Sequence, residues 1–407
     1  MCHFLAAAAM LTSSAALARP MTFTDALDLA AANAPSLAAR GAQADAMRSA
    51  AVSSDRLPDP KLEVGIRDFP VSGPNAGSFT RDDFTMTTVG VSQAFPNPAK
   101  RRARLIRAQA DIGAAEAAAS VEARNVQVQT ALAWVDLYFA ERRLATLKDL
   151  DASIDDIAST VSARLASGST RPSQALEPQQ LKAEVADRRS ELLAQAGKAR
   201  AALSRWTADA NPQVAGAPPD WSIDPARLRA GIDTLPSLRA MDAATAQAEA
   251  NVRLARAEKR PDREVNASYG RRDPAFGDLV SVGIKIDLPF FSKRRQDPLI
   301  VARAHEVDQA RLEREAAARE ALASLQSDLA DHNMHHERYM RAKELLVPLA
   351  KKRAELDRAS YGAGTLDLGT ALGSTFALAQ AELDALDRET DVARDGIRIN
   401  LTYGGAR

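Results

Sequence analysis

The sequence predicts a mainly helical chain with a small β part, assembled from two copies of one structural unit. Three observations carry that prediction. The run Val89-Gly90-Val91-Ser92-Gln93-Ala94-Phe95-Pro96-Asn97-Pro98-Ala99-Lys100-Arg101-Arg102 returns without a gap as Val282-Gly283-Ile284-Lys285-Ile286-Asp287-Leu288-Pro289-Phe290-Phe291-Ser292-Lys293-Arg294-Arg295, so the chain is built twice. Each copy passes from an apolar/polar alternation, through a proline and a basic triplet, into a very long stretch of helix-forming residues almost without glycine or proline. The hydrophobic content is 46%, but much of it is alanine and aromatics are only 5%, which suits closely spaced helices better than a thick globular core.

The elements follow in order. Met1 to Ala18 form a short apolar segment ending in an Ala-x-Ala site, so residues 1–18 read as an export leader, although the segment lacks an initial Lys or Arg. Cys2, the single cysteine of the 407 residues, lies within that leader, so no disulfide is expected and no lipidation signal is seen. A first repeat is expected over residues 19–207. It opens with a helix from Thr24, read as its cap, to Arg56, with Leu27, Ala30, Ala31 and Ala34 on one face. A strand pair follows within residues 61–95, its strands separated by a Gly/Pro/Asn-rich loop. A long helix over residues 99–167 would be ~100 Å long at 1.5 Å per residue, and such a helix must pair with others along its length as in a coiled coil. A turn at Gly168 and a return helix over residues 172–207 complete the repeat.

A proline-rich connector is expected over residues 208–235, then a second repeat over residues 236–407. Its strand pair lies in residues 262–288, its long helix in 293–361 with an interruption in the first turns at Pro298, and its return helix in 366–400.

The strands state which solvents they face. Leu62, Val64, Ile66, Val89, Val91, Val265, Tyr269, Val282, Ile284 and Ile286 share one face, while Lys61, Glu63, Thr88, Ser92, Asn266, Lys285 and Asp287 occupy the other. Strands of about ten residues with one aliphatic and one polar face match lipid outside and water inside. Phe69 and Phe84 at one end, with Phe95, Phe290 and Phe291 at the other, stand where interfacial aromatic belts would lie. Four strands cannot close a barrel, and open edges are not tolerated in lipid, so several chains must share one; three copies would supply twelve strands. Beyond the leader, no apolar run reaches the ~18 residues of a membrane-spanning helix.

Charge and motifs exclude several classes. Lys plus Arg and Asp plus Glu both number 53, so nothing electrostatic points to nucleic acid. No nucleophile motif, nucleotide loop or dinucleotide fingerprint is present, and neither an enzyme nor a cofactor is expected. The triplets Lys100-Arg101-Arg102 and Lys293-Arg294-Arg295 fall where strands would leave the bilayer and could hold anionic headgroups. His332 and His336, four apart, are the only metal-like pair, set against a plain solvated helix face.

With its paired repeats and glycine turns, the whole mature sequence resembles the TolC family of trimeric outer-membrane efflux ducts. The segment Leu57-Pro58-Asp59-Pro60-Lys61-Leu62 and the junction Phe95 to Arg102 are similar to its heavy-metal branch, of the CzcC and CusC type. The resemblance implies a homotrimer in outer-membrane lipid with a twelve-stranded β-barrel and a periplasmic α-barrel. It also implies docking of a periplasmic adaptor and an inner-membrane pump of RND type, with heavy-metal cations as cargo. It further implies adaptor-docking tips at Gly168, Ser169, Tyr361, Gly362 and Gly364, and an entrance constriction at Asp367, for which a helix N-cap is the competing role. The alternative function is a periplasmic coiled-coil adaptor, which has one helical hairpin rather than two and no amphipathic strand pairs.

Overall fold

The computed structural model describes residues 20–166 and 171–404. The leader and two of the tip residues, Gly168 and Ser169, therefore lie outside the described residues. Two compact units divide the chain, and each draws on both repeats: one contains residues up to 35, 123–232 and those from 321 on, the other residues 36–122 and 233–320.

The second unit holds the strands. β1 (Lys61–Arg67), β2 (Met86–Phe95), β3 (Arg263–Arg271) and β4 (Leu279–Ile286) form one antiparallel sheet in the order β1-β2-β3-β4. Each repeat supplies one hairpin, and the hairpins join through β2 and β3. The repeats superpose down to their registers: Lys61 faces Ser92 in the first hairpin, and their sequence counterparts Glu264 and Lys285 face each other in the second. Flanking these strands are α2 (Pro35–Ala51) and α7 (Pro236–Ala257). The unit also contains the start of α3 (Pro98–Ser159) and of α8 (Gln296–Arg341).

In the first unit, α1 (Phe23–Asn33) is capped by Thr22 rather than by the expected Thr24. Thr22 Oγ1 accepts from the Asp25 amide at 3.2 Å and the Asp25 carboxylate accepts from the Thr22 amide at 2.9 Å, a reciprocal box that Thr24 has no partner to build. The expected single helix splits because Ala34, preceding Pro35, is extended. Its buried face is Ala26, Ala30 and Ala34, while Ala31 is exposed.

The first long helix stops at Ser159, and after Thr160 a short α4 (Val161–Ala166) follows. A 3-10 turn, Pro172–Leu176, then leads into α5 (Glu177–Thr207), and α6 (Pro225–Gly231) lies in the connector. The second long helix departs from expectation twice. Pro298 does not interrupt α8, because it sits in the first turn, where its missing N–H has no intrahelical acceptor. The distortion comes instead at a π-helical turn, Ala342–Leu346, before α9 (Val347–Gly362). Pro348 cannot donate to the carbonyl four residues earlier, and widening the preceding turn accommodates that loss. The chain closes with α10 (Leu368–Tyr403).

Two apolar clusters hold the first unit. One centres on Trp134, Leu137, Phe139 and Leu203 with Ile397. Trp134 stacks on Tyr138 at 5.4 Å, meets Phe23 edge-on at 5.6 Å and donates its indole N–H to the Met21 carbonyl at 3.2 Å. Met21 in turn bridges to Val214 of the connector. The other cluster packs Leu147, Ile154, Val161, Val185 and Leu192 against Tyr361, Leu368 and Leu372.

Candidate functional site: an amphipathic sheet and a turn-closed helix end

The register assigns the two faces of the sheet. Val64 faces Val89, which faces Tyr269, which faces Val280; Leu62, Val91, Ala267 and Val282 form the next row. Directly opposed residues point the same way, so these rows build one continuous apolar face. The other face carries Ser92 opposite Lys61 and Asn266, and Glu264 opposite Lys285. All ten residues expected on the apolar face are exposed, Val282 at 72% and Leu62 at 69%. A soluble domain rarely leaves so large a patch of Val, Leu and Ile uncovered. The aromatic side chains at the strand ends are uncovered too, Phe290 at 80%. On the polar face Gly90 permits a close approach: a Cβ there would lie 3.0 Å from that of Ser268.

The sheet joins the helices at a polar knot that the sequence reading missed. Asn97, 7% exposed, caps α3 by accepting from the Lys100 amide at 2.8 Å. Its amide nitrogen donates to the carbonyls of Ala257 and Arg260 and to the Asp262 carboxylate. Lys100 pairs with Asp262 at 2.9 Å. Asn directly before Pro at the first helical position was the legible signal. The basic triplets therefore differ in their engagement. Lys100 is held by Asp262, Arg101 donates to the Asp55 carbonyl at 2.8 Å and Arg102 is exposed, whereas Lys293, Arg294 and Arg295 are all exposed.

At the helix end, α9 closes in a Schellman turn. The Thr365 amide donates to the Ser360 carbonyl and the Gly364 amide to that of Tyr361, both at 3.0 Å, with Gly364 at φ +78°. Gly362 and Gly364 are exposed. Tyr361, expected on the docking tip, is instead 5% exposed within the second apolar cluster, its hydroxyl 3.3 Å from that of Thr160. Its ring falls on the stripe of α9 that meets the neighbouring helices, and burying it outweighs exposing it.

Asp367 caps α10, accepting from the Thr370 amide at 3.0 Å and the Thr370 hydroxyl at 2.7 Å. Those bonds, the hydroxyl's foremost, hold its carboxyl below the usual range. Close by, Glu177 has one carboxylate oxygen buried without a hydrogen-bond partner. Burial, and then the charge of Asp367, push its carboxyl above the usual range. Glu177 was not singled out in the sequence, because nothing local marks it.

The histidines are arranged differently from a solvated face. His332 is buried at 9% exposure, which lowers its pKa against the opposing pull of Asp395, and its Nδ1 lacks a partner. His336 is exposed, with the two rings 6.3 Å apart, and His335 Nδ1 lies 2.7 Å from Asp395. Among the described residues no group of three His, Cys, Asp or Glu side chains is placed to hold a metal ion. Nor is any helix among them long and apolar enough to cross a membrane.

Comparison with known proteins relates this geometry to a family. The profile of the outer membrane efflux protein family matches residues 232–405. Those residues, the second repeat, carry the pattern of outer membrane efflux proteins. The chain is 24% identical over 287 residues to the cobalt-zinc-cadmium resistance protein CzcC of Cupriavidus metallidurans, an alignment covering 68% of this chain and 65% of that one. Its fold superposes on a crystal structure of CusC with a TM-score of 0.80 at 15% identity, covering 94% of this chain and 92% of the other. It also superposes on the CmeC outer membrane channel of Campylobacter jejuni with a TM-score of 0.75 at 15% identity, covering 94% and 85%.

Proposed function

We propose that three copies of this chain close their strands into one twelve-stranded barrel and form the exit duct of a tripartite efflux system. The observation that carries this reading is the four-stranded sheet with one uncovered aliphatic face, one polar face and two unpaired edges. Lipid satisfies the first face, a water-filled lumen the second, and only neighbouring copies satisfy the edges. The chain is a passive conduit in this reading, so energy comes from an inner-membrane pump of the RND type, coupled through a periplasmic adaptor that meets the helix ends. The cargo is heavy-metal cations, a reading supported by the likeness to CzcC, which is named for cobalt, zinc and cadmium resistance. The histidine cluster does not serve as a cargo site here, since a duct that held its cargo tightly would slow its release.

Two measurements test this. The purified mature protein in a planar bilayer should give discrete ohmic conductance steps; a soluble monomer without conductance refutes the duct. A deletion strain should be sensitive to zinc, cobalt and cadmium salts and regain resistance from the cloned gene. Sensitivity confined to organic dyes would refute the metal cargo while leaving the duct.

A further inference from the structure

The two repeats fix how neighbouring copies pair, and not only that they do. Within the chain, β2 of the first repeat pairs with β3 of the second. The unpaired edges are β1 and β4, the repeat counterparts of β3 and β2. Both edges are exposed, β1 at every residue and β4 at every residue but Gly283. The correspondence between repeats is fixed twice over: by sequence, Pro58-Asp59 matching Pro261-Asp262 and Val89 matching Val282, and by the hairpin registers, which superpose under the same matching. The observed β2–β3 register can therefore be carried onto a contact between β4 of one copy and β1 of the next. Phe95 opposite Arg263 becomes Leu288 opposite Pro60, and Gln93 opposite Val265 becomes Ile286 opposite Leu62.

We propose that β4 pairs with β1 of a second copy in that register, which sets Lys285 against Glu63, Asp287 against Lys61, and Lys293 beside Asp59. The inference rests on the barrel reading above and adds its register and its contacts. Charge complementarity, which was not used to derive the register, bears it out. Two opposite-charge pairs fall on the polar face, while Val282 meets Ile66, Ile284 meets Val64 and Ile286 meets Leu62 on the apolar one. A slip of one residue would turn the aliphatic face of one strand inward. A slip of two in one direction sets Asp287 against Glu63; in the other it sets Lys285 against Lys61 and Asp287 against Asp59. Both slips place like charges together. Glu63, Lys285 and Asp287 are exposed and make no ion pair within 4.0 Å of a described residue, and Lys285, whose own-chain neighbour across β3 is Glu264, has β4's open edge on its other side. The third contact follows from the polar knot: Lys100 holds Asp262 at 2.9 Å within the chain, and their repeat counterparts are Lys293 and Asp59, both exposed.

Disulfide trapping tests the register in the full-length protein, with Cys2→Ser removing the native thiol. β1 and β4 lie at opposite edges of the chain's own sheet, three strand spacings or about 14 Å apart, so a bond between them cannot form within one copy. Glu63→Cys with Lys285→Cys should give covalent dimers and trimers on mild oxidation in outer-membrane fractions. The slipped pairs, Lys61→Cys with Lys285→Cys and Gly65→Cys with Lys285→Cys, should remain monomers on denaturing gels. If a slipped pair links while the non-covalent trimer persists, the register is overturned and the duct stands. If the parent protein forms no oligomer at all, both fall. A charge exchange gives a second readout that needs no cysteine. Lys61→Asp alone and Asp287→Lys alone should each lower the temperature at which the detergent-solubilised trimer dissociates, and the double exchange should restore it. Failure of the double exchange to restore it overturns the pairing.

Discussion

Tyr361→Ala should loosen one end of the first unit without unfolding the rest of it. The ring is 5% exposed, packed in the cluster of Ile154, Ile157, Val161 and Leu368, and its hydroxyl lies 3.3 Å from that of Thr160. Removing a buried aromatic side chain costs about 3 kcal/mol or more, because the transfer energy is lost and a cavity remains. At 1.4 kcal/mol per tenfold, that is about two decades in the local opening equilibrium. Hydrogen exchange read by mass spectrometry on the detergent-solubilised protein measures it. Peptides covering residues 154–161 and 368–372 should exchange about a hundred times faster, while those covering residues 131–139 around Trp134, in the other cluster, keep their rates. Tyr361→Phe keeps the ring and loses the hydroxyl contact with Thr160, about 1 kcal/mol, so it should change these rates far less than Tyr361→Ala does. Unchanged rates near Ile154 in Tyr361→Ala would refute the packing role. Equal acceleration around Trp134 would refute the independence of the two clusters.

Other variants probe the remaining features. Glu177 has a folded pKa above its unfolded one, so its ionisation destabilises the fold as pH rises through that interval. Glu177→Gln should therefore melt higher than the parent near neutral pH and converge with it below the ordinary glutamate pKa of 4.5, as thermal scans across pH will read. Asn97→Ala leaves the Ala257 and Arg260 carbonyls and the Asp262 carboxylate short of a donor, and should cost about 2 kcal/mol in denaturant unfolding. Ile284→Lys puts a cation on the lipid face, at about 2–4 kcal/mol in mid-bilayer, and should reduce the trimer recovered from outer-membrane fractions, whereas Asn266→Lys on the polar face should not. Gly362→Ala meets nothing within 4 Å and should leave the melting temperature unchanged, so any loss of efflux it causes reports on docking; Gly364→Ala, at φ +78°, should cost about 1 kcal/mol.

The strands were legible because an alternation of Val, Leu and Ile with Lys, Glu and Ser is a local signal, and the repeat states it twice. The long helices were legible from the absence of breakers. The errors arose where two local signals compete. Thr24 and Thr22 are both fair caps, and only the reach of Asp25 back to Thr22 decides between them. Pro298 and Pro348 are the same residue type in helical sequence, yet one sits harmlessly in a first turn and the other follows a widened one. Asn97 was readable as a cap, but its three other hydrogen-bond partners lie about 160 residues away along the chain.

The sequence by itself determined the elements, their duplication and the two-faced character of the strands, since each depends on side chains a few residues apart. Only the tertiary structure decided which helical residues meet. It turned Tyr361 and His332 inward, left Glu177 half-buried beside Asp367, and drew each compact unit from both repeats. The physical reason is that burial depends on the neighbours a helix face acquires, and those neighbours come from distant parts of the chain.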